Sequence, residues 1–206
     1  MLHKDSVIIM EAMDATRALL DHGVVAFPTE TVMGLGVIFD DIVAYNKLNL
    51  LKRRPDDKPY TMMLHLAEDI EKYAIIDEGT QRVIKKFMPG SITVLVPVRS
   101  EVVPSYVTHN TGVIGIRIPT NKEAIRLLET VGKPLLVPSA NRSGERPAIS
   151  SQEVKEIFGN EIDYVMSGVA QGGVPSTIVD LTKGDPKVVR EGPISEEEIR
   201  KVYFGL

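Results

Sequence analysis

The chain has 206 residues, of which 43% are hydrophobic, 25% charged and 5% aromatic, with a formal net charge of −4. This is the composition of a globular protein long enough to bury a core without staples. The absence of cysteine excludes a disulfide scaffold, a thiolate zinc site, an iron–sulfur cluster and a cysteine nucleophile, and the acidic balance argues against a protein that coats itself in nucleic acid, while leaving room for a local basic patch. No apolar run is long enough to span a membrane. The opening residues, Met1-Leu2-His3-Lys4-Asp5, lack the basic and apolar regions of a signal peptide, so a cytoplasmic chain is expected.

Apolar periodicity alternates between helical and extended types along the chain. Residues 7–21 carry Ile9, Met13, Leu19 and Leu20 at helical spacing, ended by Gly23. Val24-Val25-Ala26-Phe27 is a short apolar run stopped by Pro28, which predicts a buried strand. Ile42, Tyr45, Leu48 and Leu51 predict a helix over 41–53, and a strand is expected over 61–66. Two short helices follow near 67–74 and 78–88, the second broken at Met88-Pro89-Gly90. Residues 91–98 and 113–118 are rich in β-branched side chains and read as strands. Asn121 caps a helix over 122–131 that Gly132 ends, and Leu135-Leu136-Val137 is the next strand. Ser150 or Ser151 opens a helix ending at Gly159, strands follow near 162–167, 176–182 and 187–190, and Ser195 with Glu198 forms a capping box for the last helix. This interleaving predicts an α/β (or α+β) chain built on one mixed sheet. No Pro/Gly/Ser-rich linker divides it, so a single domain over 1–206 is expected.

The familiar catalytic signatures fail. There is no phosphate-binding Gly-x-x-x-x-Gly-Lys motif, no His-Glu-x-x-His zinc helix and no Gly-x-Ser-x-Gly elbow, and Gly34-Leu35-Gly36 lacks the third glycine of a dinucleotide fingerprint. None of His3, His22, His65 and His109 has metal-site spacing; His65, inside an apolar strand pattern, is the one to watch.

What stands out is polar chemistry at strand ends, where open α/β sheets bind ligands. Pro28 to Gly36 follows a strand; its hydroxyls and glycines can bring backbone amides close to a ligand, though taken alone the segment reads first as a punctuated turn. Lys52-Arg53-Arg54-Pro55 ends a helix; three cations there suit the helix dipole, and they also suit a polyphosphate. Arg117 sits in a buried strand and needs an anionic partner, either a structural carboxylate or a substrate carboxylate or phosphate. Ser139-Ala140-Asn141-Arg142-Ser143-Gly144 supplies neutral donors and acceptors, and Gly168 to Thr177 is a glycine-rich loop able to expose consecutive amides. Arg190 closes a late strand with another cation. Cations, hydroxyls and amides with few carboxylates suit an anionic ligand with several oxygens, such as a nucleotide, and not a glycosidase pair of acids.

PTETVMGLG, KRRP, GIRIP, SANRSG, PSTIVD and REG, in this order and spacing from about residue 10 to 195, resemble the YrdC/YciO-like family, whose best-known members are threonylcarbamoyl-AMP synthases. The resemblance implies a single domain with a twisted mixed sheet flanked by helices and a large basic cavity. A chain of this length is expected to lack the second C-terminal domain that some relatives carry. The implied reaction joins L-threonine, bicarbonate or CO2, and ATP into threonylcarbamoyl-AMP and pyrophosphate. Other tRNA-modification proteins then place the threonylcarbamoyl group on tRNA. By resemblance Lys52 and Arg54 hold ATP phosphates, bridged by Mg²⁺ without direct side-chain ligands. Arg190 contacts the nucleotide phosphates, and Ser139 and Asn141 lie between nucleotide and amino acid. Arg117 takes the threonine carboxylate, Thr29 and Thr31 line the amino-acid pocket, and Ser176 contacts the substrate. Two departures are visible. Met33 stands where the family usually has Tyr, and Pro59-Tyr60-Thr61-Met62-Met63 precedes His65 with two extra positions, closer to the YciO-like branch and to the related domain of hydrogenase-maturing carbamoyltransferases. Two other readings stay open: a double-stranded RNA or tRNA binding module using Lys47, Lys52, Arg53, Arg54 and Lys58, and a YciO-like protein with another small-molecule substrate.

Overall fold

The computed structural model describes residues 4–53 and 59–206. In chain order the elements are α1 (Lys4–Leu20), β1 (Val25–Phe27), β2 (Gly34–Ile38), α2 (Ile42–Lys52), β3 (Thr61–Met63), α3 (Glu78–Phe87), β4 (Ile92–Pro97), β5 (Val113–Arg117), α4 (Lys122–Val131), β6 (Leu135–Leu136), α5 (Ser151–Phe158), β7 (Tyr164–Val165), β8 (Thr177–Asp180), β9 (Lys187–Arg190) and α6 (Glu196–Phe204). Short 3-10 turns span Ala67–Lys72, Ser105–Thr108 and Gly159–Glu161. They form two compact units, Met1–Pro55 with Thr120–Gly173 and Asp56–Pro119 with Val174–Leu206. Each is a mixed sheet with helices, the α/β class the alternating periodicities predict. No helix among the described residues is long and apolar enough to cross a membrane.

In the first unit the strand order is β7-β1-β2-β6. β1 pairs antiparallel with β2, placing Phe27 opposite Gly34 and Val25 opposite Gly36, and it pairs parallel with β7. The polar segment 28–36, read as a turn or a ligand-facing loop, gives way at Gly34 to β2, a fully buried strand that the sequence pattern does not announce. The reason is close approach: a Cβ on Gly36 would lie 2.8 Å from the Phe27 ring, and one on Gly34 2.7 Å from Val137. The glycines are there so that neighbouring side chains can cross the strand, a packing demand that overrides their low strand propensity.

Helix α1 forms where predicted but turns a different face inward. Ala12, Ala15 and Leu19 are fully buried, whereas Ile9, Met13 and Leu20 are 43%, 46% and 63% exposed. Helix α1 packs against α4 and against β1, β2 and β7, and its small buried alanines allow close approach there. Asp41 caps α2 by accepting from the Val43 and Ala44 N–H groups at 3.0 and 3.1 Å, and its other carboxylate oxygen bonds His22 Nδ1 at 2.7 Å. Burial opposes the charge on Asp41, but the Ala44 N–H and the His22 ring outweigh it and hold the carboxyl below its usual range. The predicted caps of α4 are present: Asn121 accepts from the Ala124 N–H at 3.0 Å, and Gly132 adopts the left-handed conformation. Ser150 caps α5.

In the second unit the order is β3-β5-β4-β8-β9. β3 runs parallel to β5 and β4 parallel to β8, while β4–β5 and β8–β9 are antiparallel. Met62, Ile92, Val94, Ile114, Ile116 and Val179 are fully buried. The strand expected over 61–66 stops at Met63, and the helix expected near 67–74 is a 3-10 turn. Helices α3 and α6 pack on each other through Gly79, whose missing side chain admits the Tyr203 ring. The Tyr203 hydroxyl donates to Asp77 at 2.5 Å, and Asp77 also caps α3 through the Thr80 N–H at 2.7 Å. Ser195 and Glu198 form the predicted capping box of α6.

Candidate functional site

In the first unit, residues 28–33 form the turn between β1 and β2. Thr29 and Thr31 are buried there. Thr29 Oγ1 donates to the Val32 carbonyl at 2.7 Å, accepts from the Thr31 N–H at 3.1 Å and lies 3.0 Å from Thr31 Oγ1. The single Thr29 proton is committed to Val32, so Thr31 is the donor between the two hydroxyls. The turn is sewn to the segment after β6: Met33 N–H donates to Ala148 at 2.9 Å, and Ala140 N–H donates to Met33 at 2.8 Å. Met33 is fully buried. The glycine-rich loop joins the same turn. Gly173 N–H donates to the Thr31 carbonyl at 2.7 Å, and a Cβ on Gly172 would lie 2.7 Å from the Glu30 carbonyl.

At the end of α2, Lys52 is 1% exposed. Its Nζ donates to the Ser139 carbonyl at 2.6 Å, the Asn141 carbonyl at 2.8 Å and Asn141 Oδ1 at 3.3 Å. Ser139 Oγ donates to Asn141 Oδ1 at 2.6 Å, and Asn141 Nδ2 donates to the Arg142 and Glu145 carbonyls at 2.7 and 3.0 Å. The structure thus brings Lys52, Ser139 and Asn141 together. The three consecutive cations do not behave alike: Lys52 turns inward, and Arg53, in the left-handed conformation at the helix end, is exposed. Arg54 and Lys58 lie outside the described residues, as does His3.

In the second unit, Arg117 ends β5 and Ser176 immediately precedes β8; both are buried. Arg190, at the end of β9, donates to the Ser176 carbonyl from Nε at 3.1 Å and Nη2 at 2.8 Å, and to Ser176 Oγ at 3.0 Å. Ser176 Oγ also lies 3.0 Å from Thr93 Oγ1. Partial burial of the head group and the nearby Arg117 charge both push the Arg190 guanidinium below its usual range. Arg117, Ser176 and Arg190 are therefore gathered, with two cations crowding one region and buried hydroxyls beside them. That is chemistry for an anion.

Arg142 has no role in the motif as read from sequence, yet it is buried, with its guanidinium bonded to Leu51 and Glu161. A cation in a loop motif that is otherwise small and neutral was the available signal. Thr93 was also missed; inside a run of β-branched residues nothing marks its hydroxyl. Among the described residues no three His, Cys, Asp or Glu side chains gather as a metal would require. His65 is half-buried, and among the described residues it joins no cluster of metal-ligating side chains.

Compared with known proteins, residues 17–192 match the model of the Sua5/YciO/YrdC family, described as "Telomere recombination". The chain is 38% identical over 182 residues to the threonylcarbamoyl-AMP synthase of Pyrococcus abyssi, covering 86% of this chain and 53% of that protein. It spans about half the length of the curated synthases it first matches. Among solved structures it is similar to P. abyssi Sua5 complexed with L-threonine, with a TM-score of 0.89, 35% identity, and 94% of this chain and 57% of that one covered. It is also similar to Escherichia coli YciO, with a TM-score of 0.83, 28% identity and 91% of each chain covered.

Proposed function

The chain belongs to the Sua5/YciO/YrdC family, and we propose that it joins L-threonine, bicarbonate or CO2, and ATP into threonylcarbamoyl-AMP and pyrophosphate, the activated donor for threonylcarbamoyladenosine on tRNA. The observation that supports this most is the gathering of Lys52, Ser139 and Asn141, 87 and 89 positions apart in sequence, around one buried ammonium. The L-threonine named for the similar P. abyssi structure supports the choice of amino acid.

In the proposed chemistry the threonine amine adds to CO2 and loses a proton to give a carbamate. A carbamate oxygen then attacks the α-phosphorus of ATP, the bond to the bridging oxygen breaks, and pyrophosphate leaves. No enzyme nucleophile takes part, so the chain's contribution is orientation and charge stabilisation; positioning alone supplies about 7–11 kcal/mol in well-oriented reactions. In the first unit, Arg54 holds phosphate oxygens, while Lys52, whose three N–H groups serve Ser139 and Asn141, adds its positive charge beside them; Ser139 and Asn141 hold the nucleotide, and Thr29 and Thr31 line the amino-acid pocket. In the second, Arg190 holds phosphate, Arg117 takes the amino-acid carboxylate and Ser176 contacts the substrate. Among the described residues no cluster of carboxylates gathers to hold a resident Mg²⁺. Mg²⁺ would arrive on the triphosphate and neutralise its charge.

The test is incubation with ATP, Mg²⁺, bicarbonate and each candidate amino acid, with pyrophosphate measured and the adenylate identified by mass spectrometry. Threonine-dependent pyrophosphate together with threonylcarbamoyl-AMP is the expected result. Turnover with another amino acid and none with threonine would assign a different substrate, as in the YciO-like reading. Salt-sensitive RNA binding without any turnover would replace the enzyme with a binding module.

A further inference from the structure

Helix α2 ends with its last four carbonyls all satisfied, and half of those bonds come from one distant loop. The Arg53 N–H serves Asn49 and Leu50. The Lys52 carbonyl accepts from the Ser143 N–H at 2.9 Å, and the Leu51 carbonyl accepts from Arg142 Nη1. Terminal helix carbonyls ordinarily find water or a local cap; here they are capped by residues 91 positions or so away. Arg142 reaches further. Its Nη2 pairs with Glu161 and lies 3.5 Å from the Ile157 carbonyl, and its guanidinium sits 4.8 Å from the centre of the Phe158 ring. One buried planar fork therefore joins the end of α2, the loop 139–144 and the end of α5. Its charge also complements the negative end of the α2 dipole.

We propose that Arg142 is a positioning residue: it locks the end of α2 onto the 139–144 loop and so fixes the Lys52 ammonium against Ser139 and Asn141. The proposal rests on the reading above in assigning that trio to the nucleotide. Arg142 sits between Asn141, whose amide brackets Lys52, and Ser143, whose N–H caps the same lysine's carbonyl. Without the fork, the loop keeps one backbone bond to the helix end and the Lys52 head-group bonds, and the α2–α5 connection is lost. Lysine substitutes only in part, because a single ammonium cannot bridge Leu51 and Glu161 while also lying over the Phe158 ring.

The experiment compares wild type, Arg142→Met, Arg142→Lys and a control, Arg146→Met, which removes a largely exposed arginine of the same segment. Amide hydrogen exchange reports the clamp, and steady-state pyrophosphate release reports its effect. In Arg142→Met, protection at Ser143 is expected to fall at least about tenfold while amides of α4 are unchanged, and KM for ATP to rise at least about tenfold with KM for threonine within about twofold. Arg142→Lys, which keeps the charge if the methionine variant fails to fold, should show intermediate losses in both. Arg146→Met should behave as wild type. Unchanged Ser143 protection in both Arg142 variants overturns the proposal, as does lost protection with unaltered KM for ATP. If the wild type releases no pyrophosphate the proposed function fails instead, and the exchange result alone then confirms or overturns the clamp.

Discussion

Replacing Lys52 by methionine keeps the buried stem and removes the ammonium, so the consequence can be worked bond by bond. Nζ serves three oxygens. The Ser139 carbonyl retains the Asn141 N–H at 3.1 Å, and Asn141 Oδ1 retains the Ser139 hydroxyl at 2.6 Å. The Asn141 carbonyl retains no partner among the described residues. One orphaned buried carbonyl costs about 1–3 kcal/mol, and two weakened charge-assisted contacts add to it. The relief from no longer desolvating a lysine subtracts. The net expectation for Lys52→Met is a loss of about 2 kcal/mol, read as a lowered urea midpoint at unchanged slope. Pyrophosphate release should fall at least tenfold, about 1.4 kcal/mol in barrier, because the positive charge beside the phosphates and the anchor of Ser139 and Asn141 are both gone. A variant within about 0.5 kcal/mol of wild type would refute the hydrogen-bond reasoning. A stable variant of normal activity would refute the role of Lys52 altogether.

Three further expectations concern the frame. Burial and the hydrogen bond to Asp77 push the Tyr203 phenol up to about 12 from 10.0. The folded state therefore favours the neutral phenol, and its stabilisation is complete below pH 10 and disappears as pH rises toward 12. The stability difference between wild type and Tyr203→Phe should shrink over that window, and a constant difference would contradict the assignment. Gly79→Ala should destabilise by about 1 kcal/mol or more despite better helix propensity, since the new Cβ lies 2.6 Å from the Tyr203 ring; a stabilised variant would show that α3 and α6 pack differently. Asn121→Ala should cost about 1 kcal/mol through the lost α4 cap, measured by thermal or urea unfolding.

What was legible in the sequence was local. Caps at Asn121, Gly132 and Ser195 are read from a few neighbouring residues, and the structure places them as expected. The run before Pro28 is apolar at every position and could only be buried. The inward face of α1 was misjudged because periodicity weighs large side chains, whereas the packing chose Ala12 and Ala15. β2 was hidden because its glycines answer to Phe27 and Val137 and not to any local signal. In the site, the polar motifs announced themselves, and Lys52, Ser139 and Asn141 do meet. The bonds of Arg142 reach partners 91, 15 and 19 positions away, beyond any window of pattern reading. The Ser176–Arg190 pair likewise follows from the antiparallel register of β8 and β9, which only the fold determines.

The central claim is that this chain builds a carbon–oxygen–phosphorus linkage from three small substrates. The most direct measurement is incubation with 13C-labelled bicarbonate, L-threonine, ATP and Mg²⁺, followed by mass analysis of the nucleotide product. The account predicts an adenylate carrying both threonine and the labelled carbon, formed in step with pyrophosphate. An adenylate without the label, or ATP left intact when all three substrates are present, would contradict it.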